Sequence, residues 1–531
     1  MVKTTIPYKD TGYFSQTMCD YLAEAQSLKP FYNRFPKLEN FKAQLKEKSA
    51  SFTLDTRQVL AKQLQQQYDG FNISEATQSN ILALKTDKTF TVTTGHQLNL
   101  FTGPLYFLFK IVSVINLAKQ LKKAHPEYTF IPVYWMATED HDFDEINYFN
   151  FKGNKIQWNR EDGGAVGEFS TEGIDQVLSI FKHKLGKTDN AKKLVTLFEE
   201  AYVKHSNLAD ATRFLGNELF KEDGLVIVDG NDVGLKTLFA PFVKKELLDQ
   251  ISHKEITTTT KRLIDAGYNE QVHPREVNLF YIIEGIRERI IKKEDVFHVN
   301  DTNISLTETE ILETLEKHPE RFSPNALLRP LYQEVILPNL CYTGGGGELA
   351  YWLQLKDYFK CVAVPFPMLL LRNSALIYEE RNNQKIEKLD LTIKELFKKQ
   401  NDLKTYFTKS LSDISIDFSE QKKLLASQFK DLYEIAKKTD ASFLGAVAAQ
   451  EKKQTNGLAH LEKRLLKAQK RKYQDQLTRL IEIQSEIFPN NSLQERQANF
   501  SEFYLLFGDV LLTTLKRELD PLLPEFTAIA L

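Results

Sequence analysis

The sequence predicts an α/β protein: a doubly wound parallel sheet carrying insertions, followed by a long helical coiled coil. Three observations predict it. Apolar, β-branched runs recur along the first part of the chain, separated by helical stretches, and each ends in glycines, acids or arginine. "TVTTGHQLNLFTGPLYFLFK", residues 91 to 110, passes from such a run through a glycine and a histidine into an apolar helix. From about Leu376 the composition changes to charged stretches with apolar residues three and four apart.

Residues 13 to 70 read as mostly helical, with Phe31, Tyr32, Phe35 and Phe41 as packing residues. Phe90 and Val92, with Thr91, Thr93 and Thr94, make the first interior strand. Gly95 to Gly103 is then a strand-to-helix crossing, and Pro104 suits a first helical turn because its missing N–H would have no intrahelical partner. The helix runs to about Lys123, and "YTFIPVYWMATED" supplies a second strand, nearly continuous in apolar residues as a strand covered on both faces should be. Strand, helix, strand implies a right-handed parallel crossover. Further strands are expected in "GLVIVDGND" (224 to 232), within "EVILPNLCYTGGGGE", and in "CVAVPFPMLLLR" (361 to 372), while 151 to 200 and 253 to 325 read as insertions.

Beyond residue 375, three helical seams are expected: Ile386, Leu389, Ile393 and Leu396; Leu425, Phe429 and Leu432; and Leu458, Leu461, Leu465 and Ala468, with an ordinary solvent-edged bundle as the alternative to a coiled coil. "KKTDASFLGAV" is the expected reversal between two antiparallel helices. After "FPNNS" the chain turns apolar and aromatic and is expected to return to the main core. The predicted organisation is a core over 1–375, a coiled coil over 376–488 and a returning segment over 489–531.

A net charge of −2 over 531 residues argues against a general nucleic-acid binder. Three scattered cysteines, Cys19, Cys341 and Cys361, suit neither a disulfide framework nor a zinc site, and Cys341 and Cys361 read as small hydrophobes within strands. With no signal-like start and no run of about eighteen apolar residues, the expectation is a cytoplasmic protein that neither enters a membrane nor binds nucleic acid.

Three clusters carry chemistry. "ATEDHDFDEIN" crowds Glu139, Asp140, His141, Asp142, Asp144 and Glu145 at a strand end, where carboxylates hold a cation, bind an amine or hydroxyl-rich substrate, or supply a base. The plain alternative is a helix start dressed with acids to suit its dipole. No dispersed ligand set completes a metal site. At the first elbow, Gly95, His96 and Gln97 are placed for a charged ligand group, the plain alternative being a packing or surface histidine, with Asn99 and Thr102 as further hydrogen-bonding residues or helix caps and Gly103 closing the crossing. In "RPLYQEVILPNLCYTGGGGELAYW", Gly344, Gly345, Gly346 and Gly347 form a binding loop or a flexible turn ahead of Glu348, and Arg329 and Gln333 stand four apart, able to share one pocket. Arg372, ending the last strand, is either a ligand or an ion-pair donor.

These clusters, in this order, resemble the cysteine ligase family of bacillithiol biosynthesis, the cysteine-adding enzymes. The matching stretches are "TGHQLNLFTGPLY", "VYWMATEDHDFDEIN" with Asn147, "HPERFSPNALLRPLYQE" and "GGGGELAYW", with "REVNLFY" (including Asn278) and "LQERQANF" as further segments. The resemblance spans nearly the whole chain. It implies a Rossmann-like core similar to class I aminoacyl-tRNA synthetases and nucleotidylyltransferases, and a coiled coil that forms a homodimer. It also implies a reaction, amide formation between cysteine and glucosaminyl-malate as the last step to bacillithiol. ATP is the expected activating nucleotide. In that scheme His96 and the elbow stabilise phosphate charge, and Glu139, Asp140, His141 and Asp142 bind and deprotonate the amine or place Mg2+. The glycine loop and Glu348 hold the amino acid, and Arg329 holds the malate. One departure is Gly346, where the family commonly has proline. The rival readings are a nucleotidyltransferase acting on another small acid and a non-catalytic scaffold whose coiled coil recruits partners.

Overall fold

Strand β1 (Thr89–His96) is buried along its whole length in the computed structural model, which describes residues 2–160 and 163–531. Beside it lie β2 (Thr129–Met136), β3 (Val226–Asp229), β4 (Asn339–Gly344) and β5 (Met368–Leu371). The order across the sheet is β5-β4-β1-β2-β3, and every ladder is parallel. Read from the other edge this is 3-2-1-4-5, the order of a Rossmann-like sheet. The buried threonines of β1 are satisfied across the ladder: Thr93 donates to the Asn339 side chain at 2.9 Å and Thr94 to the Thr343 carbonyl at 2.7 Å. Pro132 sits in β2 one residue before the ladder to β3 begins at Val133, where a flanked strand can spare an N–H.

Helix α1 (Tyr106–Ala124) makes the crossover from β1 to β2 and is buried almost all round. Helices α2 (Val233–Asp249), α3 (Arg329–Ile336) and α4 (Gly346–Trp352) complete the frame of the sheet. The five-stranded insertion sheet, which includes Leu279–Ile283, Ile286–Lys293 and Phe322–Pro324, is antiparallel throughout. Because β1 leads to β2 on one side while β4 arrives on the other, the carboxyl ends of β1 and β4 diverge and leave a crevice.

The final segment covers α1. Asn116 donates to the carbonyls of Lys516 and Leu519 at 3.0 and 2.6 Å, and Leu105 N–H donates to the Ala498 carbonyl at 2.8 Å. A buried ion pair, Arg372 with Glu495 at 2.8 Å, fixes the same segment to the end of β5. The elbow after β1 is strained: Phe101, Thr102 and Gly103 take φ of 46°, 68° and 59° in succession. Non-glycine residues in that region cost about 1–3 kcal/mol each unless their surroundings impose it. Asn499 imposes it, donating to the carbonyls of Phe101 at 2.8 Å and Gly103 at 2.6 Å.

The chain divides into two compact units, the one above, of 3–377 with 492–529, and a second made chiefly of 378–491. In the second unit α5 (Ser419–Ala436) and α6 (Ala441–Lys472) form a helical hairpin reversing at 437–440. Lys422 pairs with Glu462 and Tyr433 with Glu451, converging on the turn as an antiparallel pairing requires.

Several expectations are corrected. Cys361 is no strand residue: it ends the helix Lys356–Cys361 and is exposed, because β5 begins only at Met368. The supposed seam of Ile386 to Leu396 is not one helix, since the helix stops at Lys388 and a 3-10 turn follows at Glu395–Phe397. The four glycines are no loose loop: Gly344 ends β4, Gly345 caps α4, and Gly346 and Gly347 begin that helix, none of them with positive φ. Asn99 and Thr102 do not cap α1, whose N-cap is Leu105. A further strand, Val2–Pro7, carried no signal and is completed by pairing with the last strand, Glu525–Ala530.

Replacing Asn499 with alanine strands two buried carbonyls, and the unfolding free energy should fall by about 2–4 kcal/mol. Guanidinium denaturation measures it, against Lys192→Ala on the surface, which should stay within about 0.5 kcal/mol of the parent.

Candidate functional site

A cavity of about 550 Å³ opens in the crevice at the carboxyl ends of β1, β2 and β4. Its floor is an ion pair. Lys110 of α1, almost wholly buried, donates to the Gly95 carbonyl and to Glu348 Oε1, both at 2.6 Å. Glu348 is the third residue of α4, so its carboxylate also accepts the Gly345 N–H at 3.2 Å, and its other oxygen accepts the Tyr342 hydroxyl at 2.5 Å. Burial works to raise the Glu348 carboxyl, and Lys110 with the hydrogen bonds outweighs it and holds the group below its usual range. Gly95 keeps this place open, because a Cβ there would stand 3.2 Å from the Tyr342 hydroxyl.

Two histidines line the cavity with opposite polarity. Burial, then the neighbouring Lys110 charge, push His96 down to about 3, so its ring is neutral. Its bond to the Thr102 backbone favours protonation, which makes the ring the donor there and leaves Nε2 with a lone pair. That Nε2 is buried without a hydrogen-bond partner. His141 is the reverse case. Arg287 NH1 lies 2.6 Å from His141 Nδ1, and a guanidinium only donates, so the ring proton is on Nε2. Arg287 is buried over the Phe280 ring; burial lowers its pKa and the Glu139 and Asp140 charges oppose the shift.

Glu139 is paired with the buried Lys236 of α2 at 2.8 Å. Asp140 accepts from Gln97 at 3.0 Å and from the His141 N–H at 2.8 Å. Arg329 lies across the cavity, one nitrogen bonded to Gln333 at 2.9 Å and the other, NH2, buried and unpartnered. Such a nitrogen at a cavity wall fits a carboxylate or phosphate. Among the described residues no group of three His, Cys, Asp or Glu side chains is arranged to hold a metal.

Of the residues singled out in the sequence, Gly95, His96, Gln97, Glu139, Asp140, His141, Arg329 and Glu348 meet in this one cavity. Others do not. Asp142 and Asp144 are exposed beside the short helix Phe143–Ile146, where Asn147 reaches back to Asp144 at 3.3 Å. Asn278 is buried in a network with Glu246, Ser252 and Asn325, and Gln333 stands behind Arg329 rather than in the cavity. Gly344 to Gly347 are outside the lining, Thr102 belongs to the elbow, and Arg372, also outside the lining, is paired with Glu495 through NH2 while its Nε has no hydrogen-bond partner among the described residues. Asn99 and Gly103 line a neighbouring cavity of about 300 Å³. Lys110, Tyr342 and Arg287 escaped the sequence reading. A lone lysine inside the apolar run "YFLFKIVSVINL" was the available signal for the first, and nothing local marked Arg287.

Two family models cover the chain: the N-terminal Rossmann-like domain of bacillithiol biosynthesis BshC matches residues 1–373, and the BshC C-terminal coiled-coil domain matches residues 375–531. The protein named "Putative cysteine ligase BshC" of Flavobacterium johnsoniae is 55% identical over 99% of each chain. Its namesakes in Christiangramia forsetii and Cytophaga hutchinsonii are 54% identical, covering 99% of this chain and 98% of the relative, and 37% identical, covering 97% and 96%. This chain belongs to the BshC family and is a ligase of bacillithiol biosynthesis. No helix among the described residues is long and apolar enough to cross a membrane.

His96 predicts a pH dependence of stability. Its ring titrates at its ordinary 6.5 in the unfolded chain and at about 3 in the fold, so the unfolded state takes up the proton first as pH falls. The His96 contribution is constant above 6.5 and erodes between 6.5 and about 3, approaching 1.4 kcal/mol per pH unit. Urea denaturation at several pH values should show a shallower acid slope in His96→Gln; an unchanged slope contradicts the assignment.

Proposed function

We propose that this ligase joins the carboxyl group of cysteine to the amine of glucosaminyl-malate, the last step of bacillithiol biosynthesis, in the cytoplasm. The observation that carries the reading is the polarity of the cavity. Asp140 and the lone pair of His96 offer acceptors to an amine, while Arg329, Arg287 and the Nε2–H of His141 offer donors to an anionic acyl group. A free carboxylate is a poor electrophile, so it must first be activated; ATP would supply that activation, with release of pyrophosphate if the acyl group is adenylated or of ADP if it is phosphorylated. The amine then attacks the carbonyl carbon, a proton leaves the nitrogen, and the phosphate-bearing group departs with the bonding pair.

In this scheme Asp140 takes the amine proton and His141 donates to the oxygen on which charge develops. Arg329 holds the anionic group through its unpartnered NH2. His96, being neutral with its proton committed to Thr102, suits an acceptor role and not the stabilisation of phosphate charge expected from the sequence. The acids make a poor nest for Mg2+, since Glu139 is held by Lys236 and no three ligating side chains converge among the described residues, so a magnesium ion would arrive on the nucleotide.

The coiled-coil unit is assigned to homodimerisation. Leu424 and Leu461 are 66% and 52% exposed and flank one groove of the α5–α6 hairpin, and a second copy would bury them.

Asp140→Asn and His141→Ala should each lower amide formation by about 100-fold or more, with thermal midpoints within a few degrees of the parent. Mass-spectrometric assay of product from cysteine, glucosaminyl-malate and ATP checks this, and full activity in both variants overturns the mechanism. Light scattering should give a dimer at micromolar concentration and a monomer for the double variant Leu424→Glu, Leu461→Glu; a monomeric parent contradicts the assembly.

A further inference from the structure

The smaller cavity, of about 300 Å³, shares two walls with the main one, Gln97 and Tyr106. Its remaining lining is unusually rich in neutral hydrogen-bonding groups. Asn99 is 8% exposed and its Oδ1 has no partner, while its Nδ2 is committed to the Glu145 carbonyl at 3.3 Å. Asn150 spends its Nδ2 on the Gln497 carbonyl at 3.0 Å, which leaves its Oδ1 as an acceptor. The Arg496 side chain lines the same space, is exposed, and has no hydrogen bond or ion pair among the described residues. Amides, an acid, an arginine and an aromatic face together match a ring bearing several hydroxyls, each of which both donates and accepts.

Gln97 gives the cavity a direction. Its Nε2 donates to Glu145 at 2.9 Å on the side of the small cavity and to Asp140 at 3.0 Å on the side of the main one. One amide therefore holds a carboxylate on each side of the partition. An ammonium group entering from the small cavity meets Glu145 first and Asp140 next, at the edge of the space where the acyl group is placed. Neither carboxylate is spent on a lysine or arginine among the described residues, so both keep oxygen lone pairs for that cation.

We infer that the small cavity is the binding site for the sugar ring of the amine substrate, a 2-amino-2-deoxyhexoside. Asn99, Asn150 and Arg496 engage ring hydroxyls and the glycosidic side, and the amine is directed past Gln97 toward Asp140. The inference rests on the amide-forming reading, and deepens it by separating the two substrates: sugar in the small cavity, acyl group in the main one. Positive charge at Arg496 also places the acidic aglycone on the outer, solvent side.

Calorimetric titration tests this without turnover. Glucosaminyl-malate and methyl glucosaminide, each alone, are titrated into the parent protein, Asn99→Ala, Asn150→Ala and, as a main-cavity control, Arg329→Gln. The small-cavity variants should bind both sugars about tenfold more weakly, the loss of one hydrogen bond of about 1.4 kcal/mol, while Arg329→Gln binds them like the parent. Circular dichroism confirms the fold of each variant. Because Asn99 also donates to the Glu145 carbonyl, Asn150→Ala is the second, independent variant. Sugar binding to the parent that both small-cavity variants retain overturns the subsite and leaves the amide-forming reading standing. Absence of any sugar binding to the parent overturns the reading and the subsite together.

Discussion

A buried lysine paired with a half-buried glutamate holds the switch point of the sheet. Lys110 comes from the crossover helix and Glu348 from the first turn of α4, and they meet at the Gly95 carbonyl near the end of β1. Taking the lysine charge out of water is costly, and the cost is offset by the carboxylate and the hydrogen bonds around the pair. Lys110 reaches a carbonyl as well as the carboxylate, and Glu348 takes the Tyr342 hydroxyl and the Gly345 N–H besides. One carboxylate thereby closes the junction of β1, β4, α1 and α4, and the cavity is what remains above it.

The charges around that pair set the chemistry of the walls. His96 stands next to Lys110 and is kept neutral, so it serves as an acceptor, while His141 is made a donor by Arg287 from the insertion sheet. The strained elbow that carries the Thr102 contact is held by Asn499, almost four hundred residues away in sequence. The returning C-terminal segment is thus part of the site's support, through Asn499 at the elbow and Glu495 at Arg372.

Much of this was legible in the sequence. Runs such as "TFTVTTGH" and "VIVD" are too β-branched and too apolar for anything but covered strands, and the reversal at 437–440 was marked by its break in helical spacing. The acidic stretch was legible as a site but not divisible. The strand ends at Met136 and a short helix starts at Phe143, and that turn sets Glu139, Asp140 and His141 on the cavity wall and Asp142 and Asp144 away from it. Residue spacing alone does not encode it. The glycines misled in another way: Gly344 is required by the Tyr342 ring and the Glu348 side chain, which a Cβ would approach at 2.9 and 3.1 Å, and not by backbone freedom. Arg287 and Lys236 were invisible because their partners lie far off in the chain, and a buried charge is recognised only with its partner.

The central claim is that Lys110 and Glu348 act as one unit. A double-mutant cycle with Lys110→Met, Glu348→Gln and the combined variant, followed by denaturant unfolding, tests it most directly. Glu348→Gln should cost about 3–5 kcal/mol because it leaves Lys110 buried and unpaired, Lys110→Met less because Glu348 keeps contact with solvent, and the pair together should cost less than the sum, a coupling of about 2 kcal/mol. Additive losses, within about 0.5 kcal/mol, would show two independent residues and contradict the account.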